Sequence, residues 1–212
     1  MRHLPINHSD VPIRLFKSDF LEFFTHVSPV VVVVIWLPVV GVFLTQAVLA
    51  SRQALSVAHL PLGFALGLVL WTLAEYLLHR FVFHFRPRTP WQERLTFLFH
   101  GVHHAQPQLK TRLVMPPAVS IPLALIFYGL FWLVVGELLA APQWVAPLAA
   151  GFTCGYLIYD LTHYATHHFP MKWGYLKFLR RYHMLHHFKT PEARYGVTSP
   201  LWDWVFGTQG QN

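Results

Sequence analysis

The 212-residue chain carries one cysteine, Cys154. No intrachain disulfide is then possible, cysteine-rich metal sites are excluded, and any bound metal must be held by nitrogen or oxygen. Charge is scarce as well. Asp, Glu, Lys and Arg make up 12% of residues and hydrophobic side chains 54%, whereas ordinary soluble domains carry about 25% charged residues. That deficit excludes a typical soluble surface and places the chain in a bilayer. The N-terminal stretch MRHLPINHSDVPIRLFKSDF has no apolar core behind its first charges and does not read as a cleavable signal peptide. Insertion then falls to the first spanning helix. Internal repeats and low-complexity segments are missing, apart from the valine run at 30–34. Nor do the basic residues behind the net charge of +7 form one stripe. They sit between and after apolar runs, so membrane orientation accounts for them and nucleic acid is not expected as a partner.

What is abundant is apolar sequence. Val27 to Ala50 contains no charged residue and is long enough to cross a hydrocarbon core of roughly 30 Å; Pro38 and Gly41 are kink points that a membrane helix tolerates. A second run, Leu60 to Leu78, is interrupted late by Glu75 and leads into LHRFVFHF. A third covers Val114 to Val135 and a fourth about Trp144 to Leu161, with Asp160 near its end. Only GELLAAPQ separates these two, which predicts a tight antiparallel hairpin. Ahead of all four, Phe16, Phe20, Phe23 and Phe24 interleave with Lys17, Asp19 and Glu22, the pattern of a helix lying among headgroups. His59, alone in the connector after Arg52, reads as an ordinary loop residue.

Charge orients these spans. Residues 84–113 carry Arg86, Arg88, Arg94, Lys110 and Arg112 against Glu93. The tail carries Lys172, Lys177, Arg180, Arg181, Lys189 and Arg194 against Glu192 and Asp203. The connector after the first span has only Arg52, and the one after the third only Glu137. Positive-inside bias puts the first two regions and both termini in the cytoplasm. The fold expected is an all-α integral membrane protein of about four transmembrane helices with a histidine-rich cytoplasmic helical cap. One membrane-embedded domain spans residues 1–212.

Histidine is the second excess: fifteen residues, eleven of them in four short clusters. His79 and His84 sit in HRFVFH; His100, His103 and His104 form HGVHH; His163, His167 and His168 form HYATHH; His183, His186 and His187 form HMLHH. Positions three and four apart share a helix face, so most clusters can present two imidazoles together. A metal that must activate a small molecule needs neutral nitrogens from several elements with a position left open. Eleven candidates exceed what one metal can use, which implies a two-metal centre. His168 is turned about 100° beyond His167 and ranks lower. His79 and His84, five apart, cannot share a straight helix face, so the helix is expected to break between them before FRPRTP. Glu75, four before His79, and Asp160, three before His163, are placed to accept the outer ring N–H of those histidines and fix their tautomers.

With these strings in view, the chain resembles the fatty acid hydroxylase and sterol desaturase superfamily of integral-membrane di-iron enzymes. FHGVHH, then RLVMPP at Arg112 to Pro117, YDLTHYATHH, YHMLHH and YGVTSPLWDWVFGT from Tyr195 to Thr208 are similar to the catalytic domain of fatty acid 2-hydroxylases, over about Arg14 to Thr208. The resemblance implies hydroxylation beside the carboxyl of a long acyl chain, free or in a sphingolipid, with O2 and two electrons. It implies two iron ions, replaceable by zinc in purified protein. Their ligands would be His79, His84, His100, His103, His104, His163, His167, His183, His186 and His187. No cytochrome b5 domain is expected ahead of the membrane part, so the electron donor is expected to be a separate cytochrome b5, ferredoxin or reductase. The same feature leans towards a bacterial inner membrane over the endoplasmic reticulum. Tyr182, Tyr195, Trp202 and Phe206 are candidates for lining the mouth of an acyl site. Two alternatives stay open: a sterol, carotenoid or alkyl-lipid oxidase of the same superfamily, or a metal-transport protein. The last predicts histidines strung along the spans.

Overall fold

The computed structural model describes residues 6–52 and 57–210. All regular structure among the described residues is helical. The elements are α1 (Asp19–Phe23), α2 (Pro29–Ala50), α3 (His59–Leu77), α4 (Pro90–Thr96), α5 (Val102–Ala105), α6 (Pro117–Phe131), α7 (Val145–His168), α8 (Gly174–Phe188) and α9 (Leu201–Val205). Three of them do not stop at their ends but widen into π-helical turns: α3 through Leu78–Phe83, α4 through Phe97–Gly101 and α6 through Trp132–Leu138. The chain forms two compact units, each assembled from separate stretches: an apolar unit (Pro29–Trp71, Met115–Ile158) and a histidine unit (1–28, Thr72–Val114, Tyr159 onward).

In the apolar unit, α2 turns Val32, Trp36, Val40 and Ala47 inward, while Val30, Val34, Leu37 and Val48 stand exposed. An exposed valine and leucine face of this size suits lipid, not water. Trp36 meets Tyr156 edge-on at 5.4 Å between ring centroids. The approach of α3 to α7 is set by glycine. A Cβ on Gly67 would collide with the carbonyl oxygen of Leu148, and one on Gly151 with that of Phe64. Gly67 and Gly151 let two membrane helices touch backbone to backbone, while Gly63 makes room for Pro147 and Gly155 for the Trp71 side chain. His59 is no loop residue here. It opens α3, is buried, and bonds the Ser51 hydroxyl through Nε2 at 2.7 Å.

Three helical stretches, Pro29–Ala50, His59–Phe83 and Pro117–Leu138, are long and apolar enough to cross a membrane. The expected fourth, α7, has the length: 24 residues, or about 36 Å. Its hydropathy is lower because it carries Asp160, His163, His167 and His168 and the small residues of GFTCG. Val145, Leu148, Ala149, Ala150 and Phe152 are all buried, so in this helix apolar side chains serve protein packing. The chain is thus a multi-pass membrane protein whose fourth span is approximate.

In the histidine unit, residues 7–27 run as a strap over residues 105–112. Asn7 N–H donates to the Ala105 carbonyl at 2.7 Å and Val27 N–H to that of Thr111 at 2.7 Å. Gln106 accepts from Ile13 N–H at 2.8 Å and donates to the carbonyls of Ser9 and Val11. Arg112, the first residue of RLVMPP, buries its guanidinium against the Ile13 carbonyl and the Glu22 carboxylate. Burial alone would raise the Glu22 pKa, but the N–H groups of Phe16 and Leu15 and the charge of Arg112 outweigh it and hold the carboxyl below its usual range. The same strap carries α1, which leaves Phe20 and Phe23 71% and 73% exposed, as the headgroup-helix pattern requires.

Candidate metal centre

The π turns place the first histidines. In such a turn residue i is bonded by i+5, and His84 N–H donates to the His79 carbonyl at 3.0 Å. The helix therefore does not break between them as expected from the α-helical repeat. It widens, and two residues five apart come onto one side. The second π turn ends at Gly101 and hands over to α5, so His100 lies in wider winding while His103 and His104 follow in α-helix.

All ten histidines taken as ligands converge, in two groups of five whose ring nitrogens lie within 4.8 Å of one another. His79, His84, His100, His104 and His186 form one group, and His103, His163, His167, His183 and His187 the other. Adjacent residues in HGVHH and HMLHH are split between the groups, as a turn of about 100° per residue dictates. The groups adjoin through His104 and His187, whose rings stack at 4.2 Å. Nine of the ten are buried and His167 partly so. His168 belongs to neither group; its ring lies 4.6 Å from that of Tyr164.

The geometry is one that could hold a metal ion in each group. In the first group Nε2 of His79 is 3.1 Å from that of His100, and Nε2 of His186 is 3.1 Å from His84 and 3.2 Å from His104. In the second, His103 is 3.0 Å from His163 and from His187, and His183 is 2.9 Å from His167 and 3.0 Å from His187. Metal–imidazole bonds of about 2.1 Å at right angles put neighbouring nitrogens about 3.0 Å apart. Burial first, and then neighbouring imidazoles, lower the pKa of His84, His100, His103, His183, His186 and His187. The rings are neutral at pH 7 and keep lone pairs to donate. With nitrogen as the sole donor, both groups suit iron, zinc, copper or nickel and not magnesium or calcium.

Behind the first group, the partners are backbone carbonyls. His79 donates from Nδ1 to the Tyr195 carbonyl at 2.5 Å and His186 from Nδ1 to that of Ala193 at 2.7 Å. The expected pairing of Glu75 with His79 is therefore corrected. Glu75 instead accepts from Val197 N–H at 2.5 Å, from Thr198 N–H at 2.9 Å and from the Thr198 hydroxyl. Asp160 does not take the outer nitrogen of His163 either, since His163 Nδ1 has no hydrogen-bond partner; the buried aspartate is engaged elsewhere. Asp203, which sequence reading passed over, accepts from Tyr195 N–H at 3.0 Å and Gly196 N–H at 2.8 Å. Gly196 has to be glycine: a Cβ there would strike the Ser199 carbonyl. Two buried carboxylates thus grip the YGVT segment whose first carbonyl orients His79. Of the aromatics proposed for a mouth, Tyr195 sets its ring 5.6–5.9 Å from those of His79, His84 and His186, whereas Trp202 bonds Thr72.

A family profile described as fatty acid hydroxylase matches residues 64–208. A dihydroceramide fatty acyl 2-hydroxylase of Arabidopsis thaliana is 40% identical over 97% of this chain and 83% of its own length. A fatty acid 2-hydroxylase of Rattus norvegicus is 36% identical over 93% of this chain and 56% of its own. Among solved structures, one described as full-length scs7p, with only the hydroxylase domain visible, superposes with a TM-score of 0.81 at 37% identity. That match covers 91% of this chain and 70% of the other. Relatives from a plant and a rat lend nothing to a bacterial membrane as the location. With a family profile over most of its length and a relative matched nearly end to end, the chain belongs to the fatty acid hydroxylase family.

Proposed function

We propose that the chain is a membrane di-iron monooxygenase that hydroxylates the 2-position of long acyl chains, in free fatty acids or in sphingolipids. The observation that carries this reading is the pair of adjoining all-imidazole groups in a chain of this family. The net reaction inserts one oxygen atom of O2 into a C–H bond; two electrons and two protons reduce the other atom to water. When bound, two irons supply the oxidising power that no amino-acid side chain has. The chain's own residues bring ten imidazoles together, orient His79 and His186 through the carbonyls of Tyr195 and Ala193, and hold the 195–198 segment with Glu75 and Asp203. In the apolar unit a cleft of about 420 Å³ lined by Ile35, Phe43, Leu125 and Tyr128 has the chemistry an acyl tail needs. Positive-inside bias favours a cytoplasmic histidine unit, and electrons come from a separate carrier protein.

The metal-transport alternative is disfavoured because every clustered histidine belongs to the histidine unit and none to residues 29–71 or 115–158. Purified, reconstituted protein given a long-chain acyl substrate, O2 and an electron donor should yield the 2-hydroxy product. His103→Ala should abolish it, and undiminished turnover in that variant would sink the assignment. Zinc in purified protein would not count against iron, because zinc binds nitrogen sites more tightly than ferrous iron.

A further inference from the structure

Helix α8, GYLKFLRRYHMLHHF, bears Lys177, Arg180 and Arg181 and is followed by Lys189; it contains no carboxylate. One of its sides supplies His183, His186 and His187. Another carries Arg181 and Tyr182 into a cleft of about 540 Å³ whose walls also include Lys189, Arg194, Trp204 and Gln209. No acidic side chain lines this cleft. Arg181 and Lys189 are exposed, and among the described residues neither is in a salt bridge.

Arg194 forms the floor. The residue is 2% exposed, with its guanidinium bonded to the Thr190 hydroxyl and set over the Tyr182 ring. Its backbone is left-handed, with φ of 62°, a conformation that a non-glycine residue adopts only where the surroundings impose it. On either side of that turn stand the two carbonyls that receive His186 and His79. The cleft floor is therefore one residue from the outer nitrogens of two imidazoles in the first group.

We infer that this cleft docks a small acidic one-electron carrier protein, and that electrons pass from it through Ala193–Tyr195 to His186 and His79. The inference rests on the proposed function for its purpose. Each docked carrier gives up one electron and is oxidised by one, and two encounters supply the two electrons that one turnover needs. Arg181 and Lys189, outside any salt bridge among the described residues, steer an acidic partner and fix its orientation, and arginine with tyrosine and tryptophan is the composition of protein interfaces. The concave shape of the charged site favours a protein over a flat anionic bilayer.

The test uses the full chain in phosphatidylcholine nanodiscs with the soluble domain of cytochrome b5 as the acidic carrier. The dissociation constant is measured against salt, and the KM for the carrier is separated from kcat. The double charge reversal Arg181→Glu/Lys189→Glu should weaken carrier binding about tenfold or more, flatten its salt dependence and raise KM without lowering kcat at saturating carrier. Arg88→Glu/Lys110→Glu, an equal charge change outside the cleft, should bind as the wild type does. Because Arg181 and Lys189 are exposed, folding survives; Arg181→Gln/Lys189→Gln should give an intermediate loss. Unchanged affinity in the reversal variant, equal loss in the control, or a loss confined to phosphatidylserine discs would each overturn the inference. Hydroxylation by the wild type with dithionite separates the two readings: without product there, the proposed function fails, while carrier binding still reports on the cleft.

Discussion

In the apolar unit, α3 and α7 approach through Gly67 and Gly151, where even a methyl group would meet a backbone carbonyl. In the histidine unit, segments are held by buried carboxylates, an amide and a guanidinium: Glu75, Asp203, Gln106 and Arg112. The first material tolerates no added volume, and the second no lost hydrogen bond. Buried imidazoles need rings fixed in angle and tautomer, which directional bonds provide and dispersion does not. Lipid-facing helices cannot use hydrophobic burial against each other, so close backbone packing does that work instead.

The contrast can be broken most severely at the centre. His103→Ala removes a nitrogen 3.0 Å from both His163 and His187. It should abolish product and empty one of the two metal positions in elemental analysis, leaving the first group loaded. The next largest effect is acidification. The six buried imidazoles outside the spans have lowered pKa values in the fold. The unfolded chain therefore takes up protons first as pH falls through about 6.5, and stability is full above that point and lost below it. Each such ring contributes up to about 1.4 kcal/mol per pH unit. Metal-free protein should melt at markedly lower temperature at pH 5.5 than at 7.5, and loaded protein should release metal over the same interval.

Asp203→Ala tests the polar material by itself. It strands the N–H groups of Tyr195 and Gly196 at about 1–3 kcal/mol each, and should lower both the melting temperature and metal retention. Gly151→Ala tests the packed material. Overpacking costs about 1–3 kcal/mol, so thermal unfolding should shift down while the protein that remains folded keeps its full metal content. Smallest is Phe20→Ser/Phe23→Ser on the exposed face of α1. Stability in detergent should move by less than about 0.5 kcal/mol, while Lys17 in nanodiscs becomes more reactive to aqueous amine labels.

That four histidine clusters converge was legible in their spacing; how His103 parts from His104 and His186 from His187 was not read from the sequence and emerges only in the two groups of five. The π turn between His79 and His84 was not, since an i to i+5 bond leaves no mark in residue type. Nor could the partners of His79 and His186 be read: they are carbonyls, which every residue owns. Glu75 and Asp160 were drawn towards the nearest histidine on their own helices, but a buried carboxylate can also satisfy backbone N–H groups arriving from far along the chain, as Glu75 does with Val197 and Thr198. The fourth span was read from about Trp144 to Leu161, but α7 runs on to His168, because a helix that packs on protein can be small and polar where a lipid-facing one cannot.

The strap of residues 7–27 and the grip of Asp203 have a consequence for the order of events in the cell. The loop after HGVHH is held by the start of the chain, the ligands extend to His187, and the carbonyls behind them are locked by residues up to Thr208. A ribosome that has made three of the four histidine clusters has made neither group complete. Each group takes its last member or members from HMLHH, so both sets of five nitrogens can come together only after His187 has been made.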